Sequence, residues 1–125
     1  MIHHIALSIS DSEDIENFYE EVLSFKLRQK FSLFPETARE IFNSERTADV
    51  YVMEKQDVRL EIFINSQKEK KVFSHICLLE KEADIIYKKA IQQQNKIRIW
   101  ENSVQFTCFI WDRSGNMFEI KMEKS

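Results

Sequence analysis

The chain has 125 residues, 43% of them apolar and ten of them Phe, which is enough to fill the core of one domain without covalent staples. Eighteen Lys+Arg against 21 Asp+Glu leave a net charge of −3 with no basic block to follow a phosphate backbone, so nucleic acid is not the expected partner. The only glycine is Gly115 and the only proline Pro35. That excludes phosphate-binding loops and dinucleotide fingerprints, which need several glycines for close approach of backbone N–H groups.

No apolar run has the length of a membrane span, and Met1-Ile2-His3-His4-Ile5 lacks the layout of a signal peptide, so a cytoplasmic protein with no membrane partner is expected. Its two cysteines, Cys77 and Cys108, are then expected as free thiols.

Residues 2–9 alternate, with Ile5, Leu7 and Ile9 on one face and His4, Ala6 and Ser8 on the other, and predict a strand. Ile15, Phe18, Tyr19, Val22 and Leu23 follow at i, i+3, i+4, i+7 and i+8, predicting an amphipathic helix over 12–23. A strand is expected at 25–32, a loop with some helical turn at 33–45, and two strands at 48–54 and 58–65. In the last of these Val58, Leu60, Ile62 and Ile64 share a face, leaving Arg59, Glu61, Phe63 and Asn65 on the other. The charged stretch 66–71 reads as a linker.

The pattern then starts again. A strand is expected at 72–79, a helix at 81–93 carrying Ala83, Ile86, Tyr87, Ala90 and Ile91, and strands at 96–101, 104–111 and 116–122. The last two strands are joined through Asp112-Arg113-Ser114-Gly115-Asn116, where Gly115 can take positive φ. One α+β domain, 1–125, therefore divides into a βαβββ module at 1–65, a linker at 66–71 and a second βαβββ module at 72–125.

The repeat is visible in letters. His4-Ile5-Ala6-Leu7 opens the first unit and His75-Ile76-Cys77-Leu78 the second, while Glu61-Ile62-Phe63-Ile64 and Glu119-Ile120-Lys121-Met122 close them. The offset is 71 from His4 to His75 and 58 from Glu61 to Glu119, so the second unit is shorter by 13, and 33–45 is a natural place for the excess.

His4, Glu61, His75 and Glu119 thus occupy matched positions, each on the face away from its strand's aliphatic stripe. Paired modules forming a curved mixed sheet would bring the four into one cleft. Two imidazoles and two carboxylates suit an octahedral divalent ion such as Ni, Co, Zn, Mn or Fe, and two negative charges balance it. His3 is expected to point elsewhere and to have no role. Phe63, Phe73, Cys77, Phe109 and Trp111 are the expected walls of a small-molecule pocket; aromatic residues there also serve plain packing, and Cys77 reads as a small buried hydrophobe.

The segments His4-Ile5-Ala6-Leu7-Ser8-Ile9-Ser10-Asp11, Phe18-Tyr19-Glu20-Glu21-Val22-Leu23-Ser24-Phe25, Leu60-Glu61-Ile62-Phe63, Ser74-His75-Ile76-Cys77-Leu78 and Trp111-Asp112-Arg113-Ser114-Gly115-Asn116-Met117-Phe118-Glu119-Ile120 resemble the vicinal oxygen chelate superfamily, the glyoxalase and bleomycin-resistance group, along the whole chain. The resemblance implies the glyoxalase-like fold and a homodimer. Its His, Glu, His, Glu order is most similar to the ligand set of glyoxalase I, lactoylglutathione lyase, which implies isomerisation of a hemithioacetal through an enediolate, with Glu119 as base or Glu61 sharing that role. Rival readings on the same fold are a non-enzymatic binding protein of bleomycin-resistance type, an epimerase and a dioxygenase. Two departures stand out: Ser24 stands where the family commonly has Gly, and Arg113-Ser114 replace the middle of its usual Asp-Pro-Asp-Gly turn. Basic residues that would hold thiol-cofactor carboxylates do not map by resemblance; Arg28, Arg39, Arg46 and Arg59 are candidates by position.

Overall fold

The structure, a computed structural model, describes residues 1–66, 73–101 and 106–123. Alternating side chains at the N-terminus form β1 (Ile5–Ile9), whose Ile5, Leu7 and Ile9 turn into the core. The first helix, Ile15–Glu20, is π-helical, with wide turns such as Glu21 N–H to Glu16 C=O at 3.0 Å and Leu23 N–H to Phe18 C=O at 3.0 Å. The wider winding still buries Ile15, Phe18, Tyr19, Val22 and Leu23 together, so the apolar stripe keeps its purpose. The chain leaves this helix through Ser24 at φ 63°, a left-handed turn made without glycine.

β2 (Lys26–Ser32), β3 (Asp49–Lys55) and β4 (Val58–Ile64) complete the first unit. The segment expected as a loop contains a real helix, α1 (Pro35–Phe42), with Pro35 in its first turn and Asn43 closing it at φ 50°. The second unit runs β5 (His75–Glu80), α2 (Ala83–Gln92), β6 (Ile97–Glu101), β7 (Phe106–Trp111) and β8 (Met117–Met122). The expected linker falls outside the described residues except Ser66, and so do 102–105.

Each unit builds one four-stranded mixed sheet, in the orders β1-β4-β3-β2 and β5-β8-β7-β6. In each, the first strand lies parallel to the last and the remaining pairs are antiparallel. This is the two-βαβββ, glyoxalase-like architecture, realised as two matching sheets.

One core joins them, with Phe18, Tyr19, Leu60 and Ile62 of the first unit and Leu78, Ile86, Ile110, Phe118 and Ile120 of the second in a single cluster. Across the units Lys55 Nζ reaches Glu80 Oε1 at 2.7 Å and also donates to the Leu23 carbonyl at 2.7 Å. Ile91, expected in the helix stripe, is instead half exposed. None of the described helices is long and apolar enough to cross a membrane.

Candidate functional site

With Leu60 and Ile62 committed to the core, strand alternation turns Glu61 and Phe63 to the opposite face, beside Ala6 and Ser8 of β1 and Val52 and Val50 of β3. In the second sheet Phe118 and Ile120 are core, which turns Glu119 outward beside Cys77 of β5 and Phe109 of β7. The same local rule thus presents one carboxylate per sheet at the same register.

Each carboxylate meets its unit's histidine. His4, one residue before β1, sets Nδ1 at 3.3 Å from Glu61 Oε2, and His75, the first residue of β5, sets Nε2 at 3.8 Å from Glu119 Oε1. All four side chains are partly exposed. His4 precedes its strand and His75 begins its own, where the sequence pattern placed both within.

The His75 ring is held from the backbone. Its Nδ1 lies 2.9 Å from the Phe73 carbonyl, which can only accept, so Nδ1 carries a proton and Nε2 is the nitrogen that faces Glu119. With a lone pair on Nε2, this nitrogen and the Glu119 oxygen 3.8 Å away would suit a cation, and an imidazole held by a backbone carbonyl is the usual support for a metal-binding histidine. Glu119 is further held by the Cys77 thiol, which donates to Oε2 at 3.2 Å, and by Lys121 Nζ at 3.7 Å from the same oxygen. Partial desolvation of this otherwise exposed thiol, together with its hydrogen bond to the Glu119 carboxylate, pushes Cys77 up to about 11.

The first pair is arranged differently. Arg59 Nη1 lies 3.3 Å from His3 Nε2 and His3 Nδ1 lies 2.9 Å from His4 Nδ1. Since guanidinium only donates, a neutral His3 offers its Nδ1–H to His4. His3 was expected to have no role, yet it holds the ring of His4, because the residues before β1 are free of the strict alternation of a strand. Arg59 also binds Glu54 Oε1 at 2.6 Å and holds that carboxyl below the ordinary range.

The chain brings the four expected ligands together as two pairs, not as one cluster. Among the described residues, no three His, Cys, Asp or Glu side chains are grouped to hold a metal ion. The donor chemistry of the His75–Glu119 pair fits a divalent ion as it stands, whereas in the first pair the His4 Nδ1 lone pair is taken by His3 and must be released before that ring could ligate one.

Sequence reasoning missed the polar knot between the units. Tyr19 Oη donates to Asp112 Oδ2 at 2.6 Å, Asn116 Nδ2 donates to the same oxygen at 2.8 Å and to the Ser8 carbonyl at 2.9 Å, and the Ser114 and Asn116 N–H groups bind Asp112 Oδ1. Buried Asp14 accepts the Arg113 N–H at 2.7 Å. Burial raises the Asp14 carboxyl and, with Asp112 alongside, raises Tyr19 well above the usual phenol range. The Asp112 to Asn116 turn was read for its Gly115 alone, and Tyr19 for its ring alone.

The sequence model described as "Glyoxalase/Bleomycin resistance protein/Dioxygenase superfamily" matches residues 1–120. The chain belongs to this superfamily. Among solved structures, a glyoxalase family protein from Enterococcus faecalis is similar at 19% identity and TM-score 0.72, covering 97% of this chain and 96% of its own. A variant of the fosfomycin resistance protein FosX from Listeria monocytogenes, complexed with Mn(II) and 1S,2S-dihydroxypropylphosphonic acid, is similar at 11% identity and TM-score 0.79, covering 99% and 93%. FosX from Mesorhizobium loti is similar at 13% identity and TM-score 0.73, covering 99% and 92%. At these identities the likeness is one of fold. No curated protein sequence matches.

On this glyoxalase-superfamily fold, the expected pocket walls separate. Phe63 packs edge-on against Phe42 of α1 at 5.5 Å between centroids and lines a cavity on the Glu61 face. Trp111 lines a different hollow with Lys96 over its ring at 4.6 Å, and Phe109 lies beside Glu119 in the sheet. Phe73 precedes β5 and is 86% exposed; its carbonyl holds the His75 ring. Cys77 is exposed and hydrogen-bonded to Glu119, where a buried hydrophobe was expected, because it shares the outward face of β5 with His75. Cys108 is free and in the core.

Proposed function

We propose that this chain is a metal-dependent isomerase of glyoxalase I type, acting on a small hemithioacetal or a similar substrate with a proton next to a carbonyl. The observation that supports this most is the matched His–Glu pair on the outward face of both sheets. Superfamily membership adds that the fold accommodates metal-dependent chemistry, as Mn(II) in the Listeria FosX complex illustrates for that protein. Each pair is half a ligand set, so the working form is a homodimer in which His4 and Glu61 of one copy face His75 and Glu119 of another. A divalent ion held there would polarise the substrate oxygens and stabilise negative charge during proton loss.

The chain's own groups do the rest. Glu119 is placed to take the proton from the carbon, forming an enediolate, and to return it to the neighbouring carbon, with Glu61 the alternative carrier. Both carboxylates are partly exposed on the outward face, open to a ligand, and the Phe73 carbonyl holds the His75 ring with Nε2 toward Glu119. The non-enzymatic binding reading is disfavoured by retention of both pairs.

Metal analysis of protein purified without chelator, with hemithioacetal turnover of wild type and Glu119→Gln, tests the reading. Stoichiometric metal with turnover lost in the variant supports it. No metal uptake in any condition overturns it, and metal without turnover overturns the isomerase assignment. Mixing separately inactive His4→Ala and His75→Ala chains tests the sharing: in a shared site each mixed dimer regains one intact centre, whereas sites confined to one chain regain none.

A further inference from the structure

The two half-sites share a scaffold and differ in what surrounds the carboxylate. In the second sheet Cys77 of β5 lies directly opposite Glu119 of β8, and in the first Ala6 of β1 lies directly opposite Glu61 of β4. Two residues further along the same strand face stand Lys121 in the second sheet and Phe63 in the first. The positions that carry hydrogen-bond donors beside Glu119 thus carry a methyl and a phenyl group beside Glu61.

The difference shows in how each carboxylate is held. The Cys77 thiol donates to Glu119 Oε2 at 3.2 Å, and Lys121 Nζ lies 3.7 Å from the same oxygen. Oε1 is left toward His75 Nε2, 3.8 Å away, on a ring that the Phe73 carbonyl holds at its other nitrogen. Among the described residues the polar partner of Glu61 is His4 alone.

Of the two groups on Oε2, the thiol sets the orientation. Lys121 is 42% exposed at the end of a long side chain, so water screens its pull, whereas strand register fixes Cys77 opposite Glu119. Cys77 is also exposed and outside the core cluster, so core packing does not account for a thiol at this place.

We propose that Cys77 is a positioning residue for Glu119: its thiol holds Oε2 and leaves Oε1 as the oxygen that ligates a divalent ion beside His75 Nε2. This rests on the metal-binding part of the reading above and adds a residue to it. A carboxylate on a flexible side chain loses rotamer freedom when it ligates, and a hydrogen bond that fixes it beforehand removes part of that loss.

Infrared spectroscopy of the metal-free full chain reads the contact, and titration with Co(II) reads its effect. The S–H stretch of Cys77, assigned by its loss in Cys77→Ser, should rise in frequency in Glu119→Ala, while the band of Cys108, in the core, stays in place. Competition against a chromophoric chelator should show Co(II) affinity lower by about tenfold in Cys77→Ala and in Cys77→Val, which keeps the bulk but not the donor. Cys77→Ser, which keeps a donor, should recover most of the loss.

An S–H band unmoved by Glu119→Ala, equal affinity in wild type and Cys77→Ala, or Cys77→Ser binding no tighter than Cys77→Val overturns the proposal. So does a thiolate-to-Co(II) charge-transfer band that vanishes in Cys77→Ser, since it would make Cys77 a ligand itself. Both measurements are made without substrate, so failure here leaves the isomerase reading standing. Metal bound as expected with no hemithioacetal turnover ends that reading and leaves the role of Cys77 intact.

Discussion

Tyr19 Oη donates to Asp112 Oδ2 at 2.6 Å, tying the first helix to the turn before β8, 93 residues later in the chain. Both groups are buried, and the same oxygen receives Asn116 Nδ2 at 2.8 Å. Tyr19→Phe keeps the ring contacts with Phe18 and Phe118 but leaves Asp112 short of one donor. The expected cost is about 1–3 kcal/mol, read as a lower urea midpoint with an unchanged m-value.

Asp14 gives the fold a pH dependence of definite sign. Burial raises its carboxyl above the ordinary 3.8, partly offset by the Arg113 N–H and guanidinium, with Asp112 and Asp11 adding to the rise. The folded state therefore keeps a proton that the unfolded chain has already released. Stability contributed at Asp14 is full below the unfolded pKa and falls as pH rises through the folded one. Asp14→Asn removes this dependence while keeping an oxygen for the Arg113 N–H. Denaturation curves from about pH 3.5 to pH 7 should show the variant gaining on wild type as pH rises.

Ser24 turns the chain at φ 63°, where a Cβ is strained. Ser24 is exposed, and its N–H bond to the Glu20 carbonyl at 3.1 Å survives substitution. Ser24→Gly should therefore raise stability by about 0.5–1 kcal/mol, visible as a higher Tm.

His75→Ala separates site from scaffold. Its side chain is 40% exposed and stands outside the core, so cooperative unfolding and near-wild-type Tm are expected. Competition against a chromophoric chelator should show divalent metal affinity lower by about a hundredfold or more, since one of the proposed nitrogen donors is gone. A collapse of cooperative folding would mean that the histidine is structural.

Much of this was legible in letters. Alternation around Leu60 and Ile62, and around Phe118 and Ile120, fixes which face carries Glu61 and Glu119, because strand periodicity is local and the apolar neighbours leave one choice. The spacing of Ile15, Phe18, Tyr19, Val22 and Leu23 announces a buried helical face even though its winding is π. The matched His and Glu positions follow from repetition alone.

Tertiary structure decided what depends on distant partners. Nothing local shows that Tyr19 pairs with Asp112, that His3 bridges Arg59 and His4, or that Phe42 of α1 packs against Phe63 beside a cavity. The sequence by itself determined that each unit carries one Glu on the strand face away from its core with a His near the start of its first strand, because strand alternation and repetition are local. Only the folded chain decided that, among the described residues, the four side chains stand as two His–Glu pairs while the two units share one core, because that depends on how the sheets pack.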